Sequence, residues 1–325
     1  MTAGHDSLST PPSNVAAATV RPPRTWLQFV RRTVLIYVVV PYVGLVLLGA
    51  CAQRWLIYQP KKTARLNAQS VVGNGLPVDD VALHAANGLT LHGWRFHVAE
   101  KSDPATQLLV LYIPGNAGCR ADRVADCRDF TALGCDALMF DYRGYGDNGG
   151  SPSETLLAAD ARRAWLFATS ELHFPPDRIV IFGESLGGAV ATRLAAEFSR
   201  AGDPPAALIL NSTFASLGET VAWHYPALPF QYLLLDRFPS VDRIKDVTCP
   251  VLQFHGTADD IVAYQHGRRL FDAAPAKSLS GIEKQFVTIP GGQHNYVTMT
   301  DMRGAVTPLL ERLRQSPDQS DSSAK

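Results

Sequence analysis

The chain has 325 residues, 46% of them hydrophobic, and its 30 basic side chains balance its 30 acidic ones. This length suits one large domain of about 250 residues with extensions, and zero net charge gives no reason to expect nucleic acid or a strongly charged substrate. The five cysteines include no C-x-x-C pair, so neither a zinc site nor a disulfide scaffold is predicted. Cys119 and Cys127 could bridge in an oxidising compartment, but two reduced thiols are the favoured alternative.

The N-terminal part of the chain divides into a polar tail and an apolar run. Residues 1–24 are rich in Ser, Thr, Pro and Ala, and residues 1–32 together are predicted to be a disordered tail. Residues 33–52 carry no charge and are long enough, at about 20 residues, to span a bilayer. Pro41 and Gly44 are tolerated better in a membrane helix than in a soluble one. Residues 33–52 are therefore predicted to be a transmembrane anchor, in preference to a buried helix of a soluble domain.

The direction in which this anchor crosses the membrane depends on the basic residues around it. These are Arg21, Arg24, Arg31 and Arg32 before the run, and Arg54, Lys61, Lys62 and Arg65 after it. The two counts are equal, but Arg31 and Arg32 lie directly against the run, which favours a cytoplasmic N-terminus and a following domain on the extracytoplasmic side. As an alternative, Leu48-Gly49-Ala50-Cys51 resembles a lipoprotein cleavage box, with Cys51 as the lipidated residue. The long charged region before the run favours an uncleaved signal-anchor.

Residues 53–316 alternate between strand and helix patterns after an initial hairpin at Asn87-Gly88. Strands are predicted at residues 78–83, 89–98, 108–113, 137–141, 178–182, 207–210, 251–255 and 285–289. Helices are predicted at residues 120–131, 153–169, 186–199, 263–273 and 296–315. The pattern indicates an α/β fold with a mostly parallel, eight-stranded sheet that carries helices on both faces.

Two further segments complete the predicted organisation of the chain. Residues 211–248 are rich in aromatic and leucine side chains and are predicted to form a small cap, although the same residues could simply pack on the sheet. Residues 317–325 are predicted to be a second disordered tail.

The most informative motif is Gly183-Glu184-Ser185-Leu186-Gly187, which joins a short β-branched run to an alanine-rich helix pattern. A serine on a sharp strand-to-helix turn, with small residues two positions to each side, is typical of a nucleophile elbow. The N–H of Leu186 would lie at the start of the following helix, where it could stabilise an oxyanion. Ser185 is therefore the predicted nucleophile, and Leu186 is one predicted oxyanion donor.

A serine nucleophile needs a base, and His294 is the predicted base because its glycine-rich loop follows the last strand. His224 and His266 remain alternatives for this base, whereas His255 is predicted to shape its own loop. The remaining histidines are predicted to lie at the surface or in packing positions.

The acid that orients the base is predicted in the loop after the penultimate strand. That loop carries both Asp259 and Asp260; Asp259 is preferred, and Asp260 is predicted to face solvent. The resulting order of Ser, Asp and His is the one that this architecture produces. The second oxyanion donor is predicted to be the backbone N–H of Asn116, in the glycine-rich turn after an early strand. A phosphate-binding turn is the rejected alternative, since no lysine follows.

At this point the chain resembles the α/β-hydrolase superfamily, and within it the membrane-anchored Bem46-like, acyl-protein thioesterase-like and serine aminopeptidase-like proteins. The matching segments are Pro114-Gly115-Asn116-Ala117-Gly118, Asp141-Tyr142-Arg143-Gly144-Tyr145-Gly146, Gly183-Glu184-Ser185-Leu186-Gly187, His255-Gly256-Thr257-Ala258-Asp259 and His294. The resemblance implies a triad of Ser185, Asp259 and His294 with oxyanion donors at Asn116 and Leu186. The family usually has histidine at the position of Pro114, so this loop lacks a common brace. Arg143 is predicted to pair locally.

The sequence thus predicts a membrane-anchored serine hydrolase that cleaves carboxylic esters or thioesters through an acyl-enzyme on Ser185. The expected substrate is a small-molecule or lipid-like acyl compound, and no metal, organic cofactor or nucleic acid is expected. Two alternatives remain: a serine aminopeptidase-like peptidase, and a non-catalytic binding protein that keeps the fold. The sequence predicts neither the natural substrate nor the oligomeric state.

Overall fold

A computed structural model describes residues 24–73, 76–85, 88–98 and 106–315. Its contacts divide the chain into two compact units, with the division after Leu48. The predicted tail at residues 317–325, most of the predicted tail at residues 1–32, and Asn87 of the predicted hairpin turn lie outside the described residues.

The first helical region consists of α1 (Arg24–Val34), a π-helical stretch (Leu35–Val39) and α2 (Val40–Ile57). It contains one helix, Thr25–Ile57, that is long and apolar enough to cross a membrane by length and composition. The helix begins before the predicted anchor, so residues 24–32, which were assigned to the tail, are helical. An apolar helix that has already formed lowers the cost of adding turns to its end, since each added residue fixes few dihedrals for one hydrogen bond.

Ten strands are present in the described residues. They are β1 (Gln59–Pro60), β2 (Val78–His84), β3 (Thr90–Phe96), β4 (Leu108–Ile113), β5 (Ala117–Gly118), β6 (Cys135–Phe140), β7 (Ile179–Glu184), β8 (Ala207–Asn211), β9 (Val251–Gly256) and β10 (Gln285–Ile289). Eight of them form one sheet in the order β10-β9-β8-β7-β4-β6-β3-β2. Only the β2–β3 and β3–β6 pairs are antiparallel, which confirms the predicted mostly parallel, eight-stranded sheet. The remaining two strands, β1 and β5, form a short parallel pair that was not predicted.

The helices that follow α2 cover both faces of this sheet. They are α3 (Ala68–Val72), α4 (Val124–Ala132), α5 (Glu154–Ser170), α6 (Leu186–Ala201), α7 (Leu217–His224), α8 (Phe230–Leu233), α9 (Ser240–Arg243), α10 (Tyr264–Ala273) and α11 (Met299–Arg314). Alternate residues of β4 point to opposite sides: Leu109 and Leu111 belong to the apolar core that includes residues of α5, α6 and α10, whereas Leu108 and Val110 belong to the core that includes residues of α4 and α11. A central strand with period-2 side chains therefore joins two apolar cores.

The order of the strands locates the best position for a site. The chain builds the sheet outward in both directions from β4, which lies between β6 and β7. In open parallel sheets, ligands bind outside the carboxyl ends of the strands at such a switch point. The loops after β4, β7, β9 and β10 all leave from this edge, and they carry Asn116, Ser185, Asp259 and His294.

Candidate active site

Ser185 occupies a tight turn between β7 and α6. Its φ of 51° and ψ of −119° lie in a region that residues other than glycine rarely adopt. Two hydrogen bonds hold this backbone: the Ser185 N–H donates to the Asn211 carbonyl over 2.9 Å, and the Thr213 hydroxyl donates to the Ser185 carbonyl over 2.7 Å. Gly187 allows the turn to approach β4, since a Cβ atom there would lie 2.2 Å from the Ile113 carbonyl oxygen. The serine is therefore fixed at the carboxyl edge of the sheet.

The three side chains that were predicted to act together form one hydrogen-bonded row. Ser185 Oγ lies 2.9 Å from His294 Nε2, and His294 Nδ1 lies 2.7 Å from Asp259 Oδ2. The neighbouring Asp260 is exposed, as predicted. A carboxylate can only accept, so Asp259 favours the tautomer in which the neutral His294 ring carries its proton on Nδ1. The unprotonated Nε2 then accepts from the Ser185 hydroxyl.

The carboxylate of Asp259 is held in its ionised form. Its Oδ1 accepts the N–H groups of Ile261 and Val262 over 3.0 and 2.7 Å. Burial alone would raise the pKa of this carboxyl, but hydrogen bonds from His255, His294 and the Val262 N–H hold the pKa well below its usual range. A carboxylate that stays charged can orient an imidazole and stabilise its protonated form.

His255 has a closer relation to this row than the sequence indicated. Its ring is fully buried, and its Nε2 lies 2.9 Å from the Val262 carbonyl oxygen and 3.3 Å from Asp259 Oδ2. The residue therefore shapes the loop, as predicted, and also contacts the acid. His224 and His266 lie against the Ile261 carbonyl and the Thr220 hydroxyl, so of the two alternatives to His294 neither contacts Ser185 in the described structure.

Two backbone N–H groups are available beside Ser185. Leu186 is the first residue of α6, and Asn116 follows Gly115, where a Cβ atom would lie 3.5 Å from the Cβ of Ser185. In the described part of the chain neither N–H donates to another protein group. Unused donors next to a serine, one of them at a helix N-terminus, are suited to an oxyanion.

The loop that carries Asn116 is braced by tyrosines that the sequence analysis did not assign. The Tyr142 hydroxyl donates to the Pro114 carbonyl over 3.0 Å, and the Tyr145 hydroxyl donates to the Asn116 carbonyl over 2.8 Å. Both rings are buried. The same segment contains Arg143, which pairs with the buried Asp160 and not with the site. These tyrosines provide support in a loop where Pro114 replaces the expected histidine.

A polar cluster that was also missed surrounds Glu184, the residue before Ser185. Glu184 accepts two hydrogen bonds from Arg123, over 2.8 and 3.1 Å, and one from the Tyr112 hydroxyl over 2.8 Å. The same hydroxyl lies 3.3 Å from Asp126 Oδ2. Burial and the nearby Glu184 raise the pKa of Asp126 to about 6. Arg123 and Tyr112 thus fix the side chain of Glu184, the residue before Ser185.

The segment between β8 and β9 forms small helices with an apolar surface. Phe214 and Leu234 are buried, whereas a second set of apolar side chains is exposed. The exposed set comprises Trp223, Tyr225, Tyr232, Leu233 and Leu235.

All five cysteines, including Cys119 and Cys127, are free. No group of three or more His, Cys, Asp or Glu side chains suited to a metal occurs among the described residues.

An eight-stranded, mostly parallel sheet with a Ser-His-Asp row at its carboxyl edge is the arrangement of a hydrolase fold. Comparisons with known proteins give the same fold. A family described as alpha/beta hydrolase fold matches residues 109–241. The chain is 43% identical over 261 residues to an uncharacterised protein of Mycobacterium tuberculosis, covering 80% of this chain and 86% of that protein. The chain belongs to the α/β-hydrolase superfamily.

A second relative and two solved structures extend this comparison. The lysophosphatidylserine lipase ABHD12 of Danio rerio is 37% identical over 217 residues, which cover 61% of this chain and 56% of the lipase. An α/β hydrolase from Vibrio vulnificus has a TM-score of 0.61 at 18% identity, covering 77% of this chain and 96% of that one. The Pyrococcus furiosus esterase Pf2001 has a TM-score of 0.57 at 16% identity, covering 79% and 97%. The chain thus spans about half the length of the curated lipase. The two solved structures share the fold of this chain.

Proposed function

We propose that this protein is a membrane-anchored serine hydrolase that cleaves carboxylic esters or thioesters through an acyl-enzyme on Ser185. The observation that carries this proposal is the row of Ser185, His294 and Asp259, with contacts of 2.9 and 2.7 Å. These contacts lie within the range of a serine and base ready for proton transfer.

In the proposed reaction, Ser185 Oγ attacks the carbonyl carbon of the substrate and gives its proton to His294 Nε2. The negative charge that forms on the carbonyl oxygen is stabilised by the N–H groups of Leu186 and Asn116. The bond to the alcohol or thiol then breaks, and the departing group takes the proton from His294. A water molecule, deprotonated by His294, attacks the acyl-enzyme and releases the acid and free Ser185.

A lipid-like acyl substrate is favoured over a small polar one. The relatives of known name that support this choice are lysophosphatidylserine lipases, which this chain matches over about half of their length. The exposed aromatic and leucine side chains between β8 and β9 offer an apolar surface of the kind that an acyl chain contacts. We therefore propose single-chain lipid esters as the first substrates to test.

We further propose that residues 33–52 cross the membrane once and hold residues 53–316 on the extracytoplasmic side. The apolar helix Thr25–Ile57 supports the crossing, and the position of Arg31 and Arg32 supports the direction. The exposed Cys51 would carry a lipid in the alternative arrangement.

The test is labelling of the full-length protein in detergent with a fluorophosphonate, which reacts with activated serines. Wild type should be labelled and should hydrolyse a p-nitrophenyl ester. Ser185→Ala should lose both properties, and His294→Ala should react at least about 100-fold more slowly, since general base catalysis contributes about 10²–10⁴-fold. Ser212→Ala is the matched control, because Ser212 also has a positive φ and follows the neighbouring strand; it should be labelled like wild type.

Three results would count against the proposal. Full esterase activity in Ser185→Ala would exclude this nucleophile. A folded but unlabelled wild type would favour the non-catalytic binding protein. Cleavage of aminoacyl arylamides in preference to acyl esters would favour the peptidase.

A further inference from the structure

The segment that follows the apolar helix makes specific contacts with two parts of the hydrolase domain. This segment, residues 53–61, comprises the end of α2 and strand β1, and we refer to it as the exit segment. Its first contacts are with residues 233–236, which start at the last residue of α8 and precede α9. Gln53 donates to the Leu233 carbonyl over 3.2 Å and accepts the Leu235 N–H over 2.7 Å. Arg54 pairs with Asp236 at 2.8 Å. The exit segment is thus fixed to the domain at its beginning.

The second set of contacts is with the loop that carries the proposed oxyanion donor. The Asn116 side-chain amide donates to the Ile57 carbonyl over 2.9 Å. In return, the Gln59 N–H donates to the Asn116 carbonyl over 3.0 Å. Gln59 and Pro60 then pair with Ala117 and Gly118 as the parallel strands β1 and β5. Asn116 is therefore bound to the exit segment through both its side chain and its backbone.

These contacts suit both partners chemically. Ile57 is the last residue of α2. The carbonyls in the last turn of a helix have no N–H partner within the helix, and the Asn116 amide supplies a donor for the Ile57 carbonyl. The Asn116 carbonyl receives a second donor, the Tyr145 hydroxyl, over 2.8 Å. With its side chain and its carbonyl both bonded, Asn116 is held on two sides of its Cα, which restricts rotation of the preceding Gly115–Asn116 peptide that carries the Asn116 N–H. In the described residues the Asn116 N–H donates to no protein group and is left for a ligand.

We propose that the exit segment is a positioning element of the oxyanion hole and not only a connection to the anchor. The Asn116 side chain and the Gln59 N–H hold the loop after β4 so that the Asn116 N–H points to the developing negative charge. This inference rests on the proposed function, since it assigns a role in the same reaction. Such a donor acts only if its position is fixed before the reaction, and loss of one donor costs about 10²–10³-fold in kcat.

The proposal also explains how the loop works with Pro114 in place of histidine. A proline fixes its own φ but has no N–H and no polar side chain, so it can hold the loop only through its carbonyl, which accepts from Tyr142. Further support comes from Tyr145, from the exit segment and from Arg123, which donates to the Ala117 carbonyl over 3.4 Å. The residues next to the anchor thus take over part of a role that the usual loop performs by itself.

The experiment compares full-length wild type with Asn116→Ala and Tyr145→Phe in the same detergent. Asn116→Ala keeps the backbone N–H but removes the bond to Ile57. Its kcat for a p-nitrophenyl ester should fall about 10-fold or more while KM stays within about twofold, because ground-state binding does not use the oxyanion hole. The rate of fluorophosphonate labelling should fall by a similar factor, since the phosphoryl oxygen occupies the same position. Tyr145→Phe should lose less, about threefold, because the Gln59 N–H still binds the Asn116 carbonyl.

The control is Lys62→Ala, which removes an exposed side chain just after the exit segment and should keep the wild-type kcat. Rates are normalised to the fraction of enzyme that is labelled at completion, so that loss of folded protein does not count as loss of kcat. The inference is overturned if Asn116→Ala and Tyr145→Phe, so normalised, keep the wild-type kcat and labelling rate. It is also overturned if their KM rises while kcat stays constant. An inactive and unlabelled wild type would instead refute the proposed function.

Discussion

The candidate site has two halves that are built in different ways. In the first half, Ser185, His294 and Asp259 bond directly to one another, and each lies on a loop that follows a strand of the large sheet. In the second half, the Leu186 N–H is fixed by its own helix, but Asn116 depends on donors from residues far away in the chain, at Gln59 and Tyr145. The proposed triad is thus positioned by the sheet and by the loops that leave it, whereas the proposed oxyanion loop is also bonded to the exit segment.

This difference has a consequence for how each half tolerates change. A substitution in the triad should lower kcat while the contacts of the exit segment stay intact. A damaged exit segment should lower kcat while the serine, base and acid keep their contacts. Substitutions that act on one half at a time can therefore separate the two.

The largest effect is expected from Asp259→Asn, which acts on the first half alone. The amide cannot stabilise the protonated ring and favours the wrong tautomer of His294, so kcat should fall about 10³–10⁴-fold with little change in KM. Asp260→Asn is the matched control, because Asp260 is adjacent in sequence but exposed, and it should retain the wild-type kcat. Steady-state kinetics on a p-nitrophenyl ester measure both. Equal losses in the two variants would show that the assignment of the acid is wrong.

A smaller loss is expected from Gly256→Ala, which displaces the base without removing it. A Cβ atom at residue 256 would lie 2.1 Å from the Gly292 carbonyl oxygen, so the loop that carries His294 must move. Since a displacement of about 1 Å in a catalytic group can cost about 10²-fold, kcat should fall by roughly this factor. Gly304→Ala is the control, because no atom lies within 4 Å of a Cβ at residue 304. Wild-type kcat in Gly256→Ala would mean that the triad is less rigid than its contacts indicate.

The first half of the site could be predicted from sequence because its signals are local. Each triad residue follows an apolar strand pattern, and glycines mark the turns at Ser185 and His294. The strands at residues 108–113 and 285–289 were predicted with the bounds that the structure shows. Buried parallel strands carry continuous β-branched or leucine-rich runs, which makes them easy to recognise.

The supports of the second half could not be predicted, because hydrogen bonds to backbone carbonyls leave no spacing signature. The Asn116 side chain reaches Ile57, which is 59 positions away, and the Tyr145 hydroxyl reaches back to Asn116 across 29 positions. The pair of β1 and β5 has only two residues in each strand, too few for a periodic pattern. The Asp-Tyr-Arg-Gly-Tyr-Gly segment was interpreted as structural, and the structure adds which loop its tyrosines support.

The smallest effect is expected behind both halves, at Asp126, and it concerns stability and not kcat. Burial and the charge of Glu184 raise the pKa of Asp126 to about 6 in the folded protein, above the value of about 3.9 for an unperturbed aspartate. The folded state therefore binds this proton more tightly than the unfolded state. The stability that the protonated group provides is fully present below about pH 4 and is lost as the pH rises to about 6 and above.

Asp126→Asn removes this loss and keeps a polar side chain of the same size beside the Tyr112 hydroxyl. At pH 8 the full-length variant should be more stable than wild type, by up to about 3 kcal/mol, and the difference should nearly disappear below pH 4. Melting temperatures at the two pH values measure this, and Asp203→Asn, at an exposed carboxylate, should show no such dependence. A gain of the same size at both pH values would locate the effect in packing and not in charge. Arg123 of this cluster also donates to the Ala117 carbonyl over 3.4 Å, but Asp126 itself contacts Tyr112 and not the proposed oxyanion loop. The kcat of Asp126→Asn should therefore stay within about twofold of wild type, and a larger loss would show that the polar cluster and the site are coupled.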